Sequence, residues 1–134
     1  MLRREYNGMS LNNPTVVIVD DSSSVRLFFK RAIEPLDVEL VMFASADDAL
    51  AYLKTHKPAL LFLDIIMPEK DGLTFLQELR HLPLHEDTPT VVISSKDYAQ
   101  DRVAAKELGV VEFVAKPMST KVIEELIVDY TTSI

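Results

Sequence analysis

Two adjacent aspartates, Asp20 and Asp21, close the apolar run Thr15–Val19. Asp64 closes Ala59–Leu63, Ser94 and Ser95 close Thr90–Ile93, and Lys116, followed by Pro117, closes Glu112–Ala115. Three carboxylates gathered in one crevice raise one another's pKa and cannot all stay ionised without a counter-charge. A divalent cation, a lysine, or both would supply it. Oxygen donors without Cys or His suit Mg²⁺ or Mn²⁺, not zinc. Mg²⁺ commonly takes one or two carboxylates, several waters and a phosphate oxygen, so the set points to phosphoryl chemistry. In such chemistry a carboxylate can be the nucleophile and form an aspartyl-phosphate. A lysine offsets charge on the transferring oxygens, and a hydroxyl such as that of Ser94 donates to another. Each residue alone has an ordinary explanation. An aspartate after a strand usually caps a helix or forms a turn, Asp21 or Ser22 could do so here, and Lys116 could be a solvated surface lysine. Capping does not require the whole set at once.

The elements that must position these residues follow from the hydrophobic pattern. Five short apolar runs read as strands: Thr15–Val19, Glu39–Phe43, Ala59–Leu63, Thr90–Ile93 and Glu112–Ala115. Three of them are almost continuously apolar, as strands covered on both faces must be. Helical spacing fills the intervals. Val25, Phe28, Phe29, Ala32 and Ile33 share one face of a helix that Pro35 stops. Ala46–Thr55 turns Ala49, Leu50 and Leu53 inward, and Asp71–His81 turns Phe75, Leu76 and Leu79 inward. Asp97 is expected to cap a fourth helix, with Gly109 as its C′ residue. Ser119 or Thr120 opens a fifth, with Val122, Ile123, Leu126, Ile127 and Tyr130 on one side. Strictly alternating strands and helices predict a doubly wound α/β fold with helices on both faces of a parallel sheet. Ligand sites of such sheets lie beyond the carboxyl ends of the strands. With strand order 2-1-3-4-5, Asp20, Asp21 and Asp64 converge there.

Composition narrows the alternatives. The chain has 134 residues, with 48% hydrophobic and 26% charged, the balance of one globular domain. It has no cysteine, which excludes disulfides, thiolate metal sites and a cysteine nucleophile. A net charge of −7 argues against direct nucleic-acid binding. No apolar run approaches the length of a membrane span, and Met1–Asn13 lacks the apolar core of a signal peptide. A cytoplasmic protein is expected, with residues 1–13 as a flexible arm, 14–131 as a single domain and 132–134 as a tail. His81 and His85 stand four apart, but Leu82-Pro83-Leu84 interrupts the helix, so no metal pair is expected.

Taken in order, the motifs resemble the receiver domain of two-component response regulators, in its single-domain, chemotaxis-regulator form. They are Val-Asp-Asp-Ser-Ser-Ser-Val-Arg (Val19–Arg26), Leu-Asp-Ile-Ile-Met-Pro-Glu-Lys-Asp-Gly (Leu63–Gly72), Val-Ile-Ser-Ser (Val92–Ser95) and Ala-Lys-Pro (Ala115–Pro117), and the likeness spans Thr15–Tyr130. It implies a flavodoxin-like three-layer sandwich. Asp64 would be the phosphoacceptor, modified by a sensor histidine kinase or a phosphotransfer protein. Asp20 and Asp21 would position Mg²⁺ (or Mn²⁺), with Asp21 the direct ligand and the Ile66 carbonyl completing the protein's share. Ser94 and Lys116 would contact the phosphoryl group. Phe113 would be the switch aromatic, and Pro68 and Gly72 would shape the loop after the acceptor. The face of helix four, strand five and helix five would then bind a downstream protein, an attached output domain or a second copy. An apolar Ile66, two residues past the acceptor, would slow hydrolysis by limiting attack of water.

Other classes fit less well. Aspartate-nucleophile phosphatases usually carry a second Asp two residues on as general acid, and here that position is Ile66. Nucleotide or flavin binding calls for a Gly-rich loop, and Gly8, Gly72 and Gly109 do not form one. A phosphorylation-independent dimerisation module would not need the acidic set together with Lys116. Val110, Val111, Phe113 and Met118, with Lys106 and Lys121, serve equally as partner surface or as core edged by solvated charge.

Overall fold

The computed structural model describes residues 13–132. The expected arm and tail lie largely outside them. The strands are β1 (Thr15–Val19), β2 (Glu39–Phe43), β3 (Leu60–Asp64), β4 (Thr90–Ser94) and β5 (Glu112–Ala115). They pair in parallel in the order β2-β1-β3-β4-β5, as the sequence leads one to expect. The helices are α1 (Ser23–Ile33), α2 (Ala46–Leu53), α3 (Gly72–Arg80), α4 (Ala99–Glu107) and α5 (Thr120–Thr131), with a 3₁₀ turn at Pro83–His85. β3 runs one residue later than its apolar pattern suggests, and β4 ends one later, so Asp64 and Ser94 are the last residues of their strands.

Burial explains the composition of each strand. β3 and β4 are buried at every position and β1 at all but its first, whereas the edge strands β2 and β5 are only partly covered. On one face of the sheet Phe29, Ala32 and Ile33 of α1 and Ile123 and Ile127 of α5 pack on Val16, Ile18, Leu60, Phe62, Val91 and Ile93. On the other, Ala46, Ala49 and Leu53 of α2 and Phe75, Leu76 and Leu79 of α3 cover Val17, Val19, Leu61 and Leu63. Removing apolar area of this extent from water is the main stabilising term. α5 departs from expectation: Val122 and Tyr130 are exposed, because a narrower stripe, Ile123 and Ile127, meets the sheet.

Four helices open on a side-chain cap. Ser22 accepts from Val25 N–H, Ser45 from Asp48, Asp71 from Thr74 and Ser119 from Val122. Each satisfies a donor that the first turn leaves free. α4 is the exception. Tyr98 stands at its N-cap without a side-chain bond, and Asp97 pairs with Arg102 instead. The expected Asp97 cap is thus replaced by an ion pair, because a charged guanidinium outcompetes a backbone N–H for the carboxylate. Gly109 ends α4 with φ +79°, a conformation that favours glycine. Arg80 ties that end down, donating to Leu108 O at 2.8 Å, His85 O at 2.9 Å and Thr90 Oγ1 at 3.2 Å.

The histidines at 81 and 85 are engaged with separate partners. His81 Nδ1–H donates to Gln77 O, while buried His85 donates from Nε2 to Leu53 O and accepts at Nδ1 from Thr88 Oγ1. Burial holds the His85 pKa below its ordinary value, consistent with that neutral tautomer. At the amino edge of the sheet, Asn13, Pro14, Leu36, Val38, Thr131 and Thr132 line one groove, so residues 13 and 132 lie close together. Among the described residues no helix is long and apolar enough to cross a membrane.

Candidate functional site

The carboxyl edge of the sheet gathers the groups singled out in the sequence. Asp20 follows β1 and extends its ladder, its N–H donating to Phe43 O at 3.0 Å. Its side chain is fully buried. Oδ1 accepts from Ser22 N–H at 2.9 Å, and the Asp20 carbonyl accepts from Arg26 Nη1 at 2.8 Å. Asp21 is exposed at the mouth. Asp64 is buried at the end of β3, its Oδ1 accepting from Ile66 N–H at 3.1 Å. One carboxylate oxygen from each of Asp20, Asp21 and Asp64 lies within 4.8 Å of the others. The three-aspartate convergence expected from strand order is therefore present.

Lys116 reaches across the sheet to this cluster. Its Nζ lies 3.0 Å from Asp20 Oδ2 and 3.5 Å from Asp64 Oδ2. Its own backbone is anchored to β4, the N–H donating to Ser94 O at 2.8 Å. Asp20 Oδ2 is buried and, despite the nearby ammonium, makes no aligned hydrogen bond. A buried carboxylate oxygen held only by charge is a group waiting for a ligand. With the carboxylates of Asp21 and Asp64 beside it, the donors are all hard oxygens, which fits a divalent cation such as Mg²⁺ or Mn²⁺.

Asp64 sits in a strongly perturbing environment. Burial pushes its pKa up to about 6. The Ile66 N–H pulls it back, Asp20 raises it, Lys116 lowers it and Asp21 raises it again. A cation or phosphoryl group at the carboxylate would change that balance directly.

The loop after Asp64 is pressed onto the site. Gly72 N–H donates to Ile65 O at 2.9 Å, and a Cβ on Gly72 would lie 2.5 Å from Ile65 Cα and 2.6 Å from Asp64 O. Only glycine fits this approach. Lys70 fastens the same loop, 3.3 Å from Asp47 and 2.8 Å from Glu78. A cleft of about 140 Å³ between Asp21, Ser45, Met67 and Lys70 opens beside the aspartates. A second, of about 420 Å³, lies on the far side between Phe28, Lys116, Pro117 and Met118. Ile66 is 43% exposed at the rim.

Ser94 is buried at the end of β4, and its Oγ accepts from Lys96 N–H at 3.0 Å. Pairing of Val92 with Phe113 and of Ser94 with Ala115 sets hydroxyl and aromatic two residues apart on one face of the sheet. The sequence left Arg26 and Lys70 without a role. Arg26 ends the first motif but carries no reactive pattern of its own, and its hold on the Asp20 carbonyl is visible only once α1 turns it back over β1.

Residues 16–128 match the family model of the response regulator receiver domain. The chain belongs to this family. Among curated relatives, the receiver is 40% identical over 105 residues to the cyclic di-GMP phosphodiesterase response regulator RpfG of Xanthomonas campestris pv. campestris, covering 77% of this chain and 28% of that protein. It spans less than half the length of several curated relatives it matches. Among solved structures it is similar to the chemotaxis protein CheY4 of Vibrio cholerae, with TM-score 0.82 and 20% identity over 89% of this chain and 99% of that one. It is also similar to the Mn²⁺-bound form of response regulator Rcp1, with TM-score 0.80 and 22% identity over 90% of this chain and 96% of that one. These structural likenesses establish the three-layer receiver fold, and the Asp20, Asp21 and Asp64 cluster could hold a divalent cation, as the acidic pocket of receiver domains does.

Proposed function

We propose that this receiver is a phosphorylation-activated switch that takes a phosphoryl group onto Asp64. The observation that carries the reading is the convergence of Asp20, Asp21 and Asp64 within 4.8 Å, with Lys116 Nζ 3.5 Å from Asp64. The donor would be a phosphohistidine on a sensor histidine kinase or phosphotransfer protein. An Asp64 carboxylate oxygen attacks phosphorus, the P–N bond breaks, and the leaving imidazole takes up a proton. The product is an acyl phosphate on Asp64. Bound Mg²⁺ supplies positive charge to the phosphoryl oxygens. Asp20, Asp21, Asp64 and the Ile66 carbonyl would hold it, with Asp21 as a direct ligand.

The remaining work falls to the chain's own side chains. Ile66 N–H orients Asp64, Arg26 holds the Asp20 loop, and Lys116 shifts from the carboxylates to the new phosphoryl oxygens. Ser94 turns its hydroxyl to donate to a third oxygen. That movement biases Phe113 and the face of α4, β5 and α5 towards a second arrangement, a local charge event acting on a bistable element. The face would then engage a downstream protein, an attached output domain or a second copy of the chain. We place the functional unit at residues 14–131, and read it as a phosphoacceptor with intrinsic phosphorylation and dephosphorylation, not a turnover enzyme.

Intact mass after incubation with acetyl phosphate and Mg²⁺ tests this. One added phosphoryl group is expected on the wild type and none on Asp64→Asn or without Mg²⁺. No addition, together with no beryllofluoride complex, would move the protein to a phosphorylation-independent interaction module.

A further inference from the structure

The junction of α4 and β5 carries a contact that the acidic pocket does not use. Phe113 is half-buried against Ile65, Val92 and Ala105. The Arg102 guanidinium carbon sits over its ring, 4.5 Å from the centroid. The same guanidinium is gripped by Asp97, through Nε to Oδ1 and through Nη2 to Oδ2 at 3.3 Å. Asp97 belongs to the loop between β4 and α4, and the preceding Lys96 N–H donates to Ser94 Oγ at 3.0 Å. A continuous path thus leads from Ser94, through the adjoining loop residues Lys96 and Asp97, to Arg102 and onto the ring.

We propose that Arg102 is a latch that holds Phe113 in its present orientation for as long as Ser94 keeps the Lys96 N–H. This rests on the reading of Asp64 as phosphoacceptor. Two bonds from a planar fork fix the guanidinium at one angle, so the cation stays over the ring without a further loss of side-chain freedom. Asp97 is free to do this because it does not cap α4. When Ser94 Oγ turns towards a phosphoryl oxygen, the Lys96 N–H loses its acceptor and the loop carrying Asp97 loses its tie to β4. The grip on Arg102 loosens, and the ring is released. Arg102 is engaged with Asp97 and Phe113 and is not part of the acidic cluster, so it is a positioning residue that acts through Phe113.

Removing the latch raises the released population before any phosphoryl group arrives. By linkage, a ligand that favours the released state must bind more tightly by the same factor. For a cation–π contact whose cation is open to solvent that factor is about two- to fivefold. The test is a titration of beryllofluoride with Mg²⁺ into the full chain labelled with 4-fluorophenylalanine, followed by fluorine NMR. A Phe113→Leu spectrum assigns the Phe113 resonance. Arg102→Ala and Asp97→Asn are expected to bind roughly two- to fivefold more tightly. Their free Phe113 resonance is expected to move towards its position in the saturated wild-type complex. Arg102→Lys, which keeps the charge and loses the fork, is expected to fall between. Unchanged affinity, or tighter binding with Phe113 no nearer its complexed position, overturns the latch while leaving the phosphoacceptor reading intact. Failure of the wild type itself to bind beryllofluoride overturns that underlying reading instead, and the latch with it.

Discussion

Lys116 Nζ stands closer to Asp20 than to Asp64, at 3.0 Å against 3.5 Å. The lysine is therefore lodged with the fully buried carboxylate and shared with the proposed acceptor. Asp20 Oδ2 has no aligned hydrogen bond, so this ammonium is the counter-charge the structure provides for it. Lys116→Ala should lower cation-free stability at pH 8 by about 3 kcal/mol, because one partner of a buried pair is left uncompensated. Denaturant unfolding with EDTA measures the loss, and Mg²⁺ should recover part of it. An unchanged midpoint at pH 8 would show that Asp20 is satisfied some other way.

Asp64 contributes a pH dependence of opposite sense to an ordinary ion-paired carboxylate. Its folded pKa is raised from 3.8 to about 6, chiefly by burial. Folding therefore favours the protonated acid, and the stability present below the unfolded pKa is lost as pH rises through about 6. Without divalent cation, Asp64→Asn should be more stable than wild type at pH 7.5, by up to about 3 kcal/mol. The gap should close towards pH 4 and shrink when Mg²⁺ is added. Thermal unfolding of both proteins at the two pH values decides it, and an Asn variant less stable at pH 7.5 would contradict the argument.

Gly72 is a steric requirement of the pocket. A methyl group there meets backbone atoms at 2.5 and 2.6 Å, and backbone cannot rotate aside as a side chain can. Gly72→Ala should cost about 2 kcal/mol and displace the Ile65–Ile66 peptide that orients Asp64. Mn²⁺ affinity, followed by water-proton relaxation, should fall roughly tenfold, the ratio that 1.4 kcal/mol represents. Wild-type affinity in the variant would mean the loop shifts without disturbing the carboxylates.

Ile66 is an apolar rim residue beside the acceptor, 43% exposed. A polar amide at this position could hold a water near the acyl phosphate, which an alkyl group cannot. Ile66→Asn should shorten the lifetime of phosphorylated protein roughly fivefold, the rate equivalent of one added hydrogen bond of about 1 kcal/mol to the attacking water. Phosphoryl loss can be timed by intact mass after acetyl phosphate is removed. Equal half-lives would argue that the attacking water is positioned elsewhere.

The sheet was legible because buried parallel strands leave a direct trace. Val16–Val19 and Leu60–Leu63 are apolar throughout since helices cover both their faces, and the polar residues that end such runs must lie at the sheet edge. Asp20 and Asp64 could be placed at that edge on this ground, and their convergence required the further expectation of strand order 2-1-3-4-5. Asp97 and Val122 were misread for one reason. A local pattern ranks partners by sequence distance, while Arg102 and the α1–α5 packing rank them in space. Arg26 escaped notice because its acceptor is a main-chain carbonyl, and every residue offers one. The Gly72 contact depends on how closely two backbones approach, which no side-chain pattern encodes.

Residues 13 and 132 border the same groove, at the sheet edge away from the aspartates. A short peptide bridge could join them, and the chain could be reopened at another surface turn. The exposed stretch 54–57, between α2 and β3, is one such place. A circular permutant cut there keeps Asp20, Asp64, Ser94 and Lys116 on their own strand ends. What the fold asks of the chain is thus the spatial order of its strands, and the order of synthesis can be rewritten around the same chemistry.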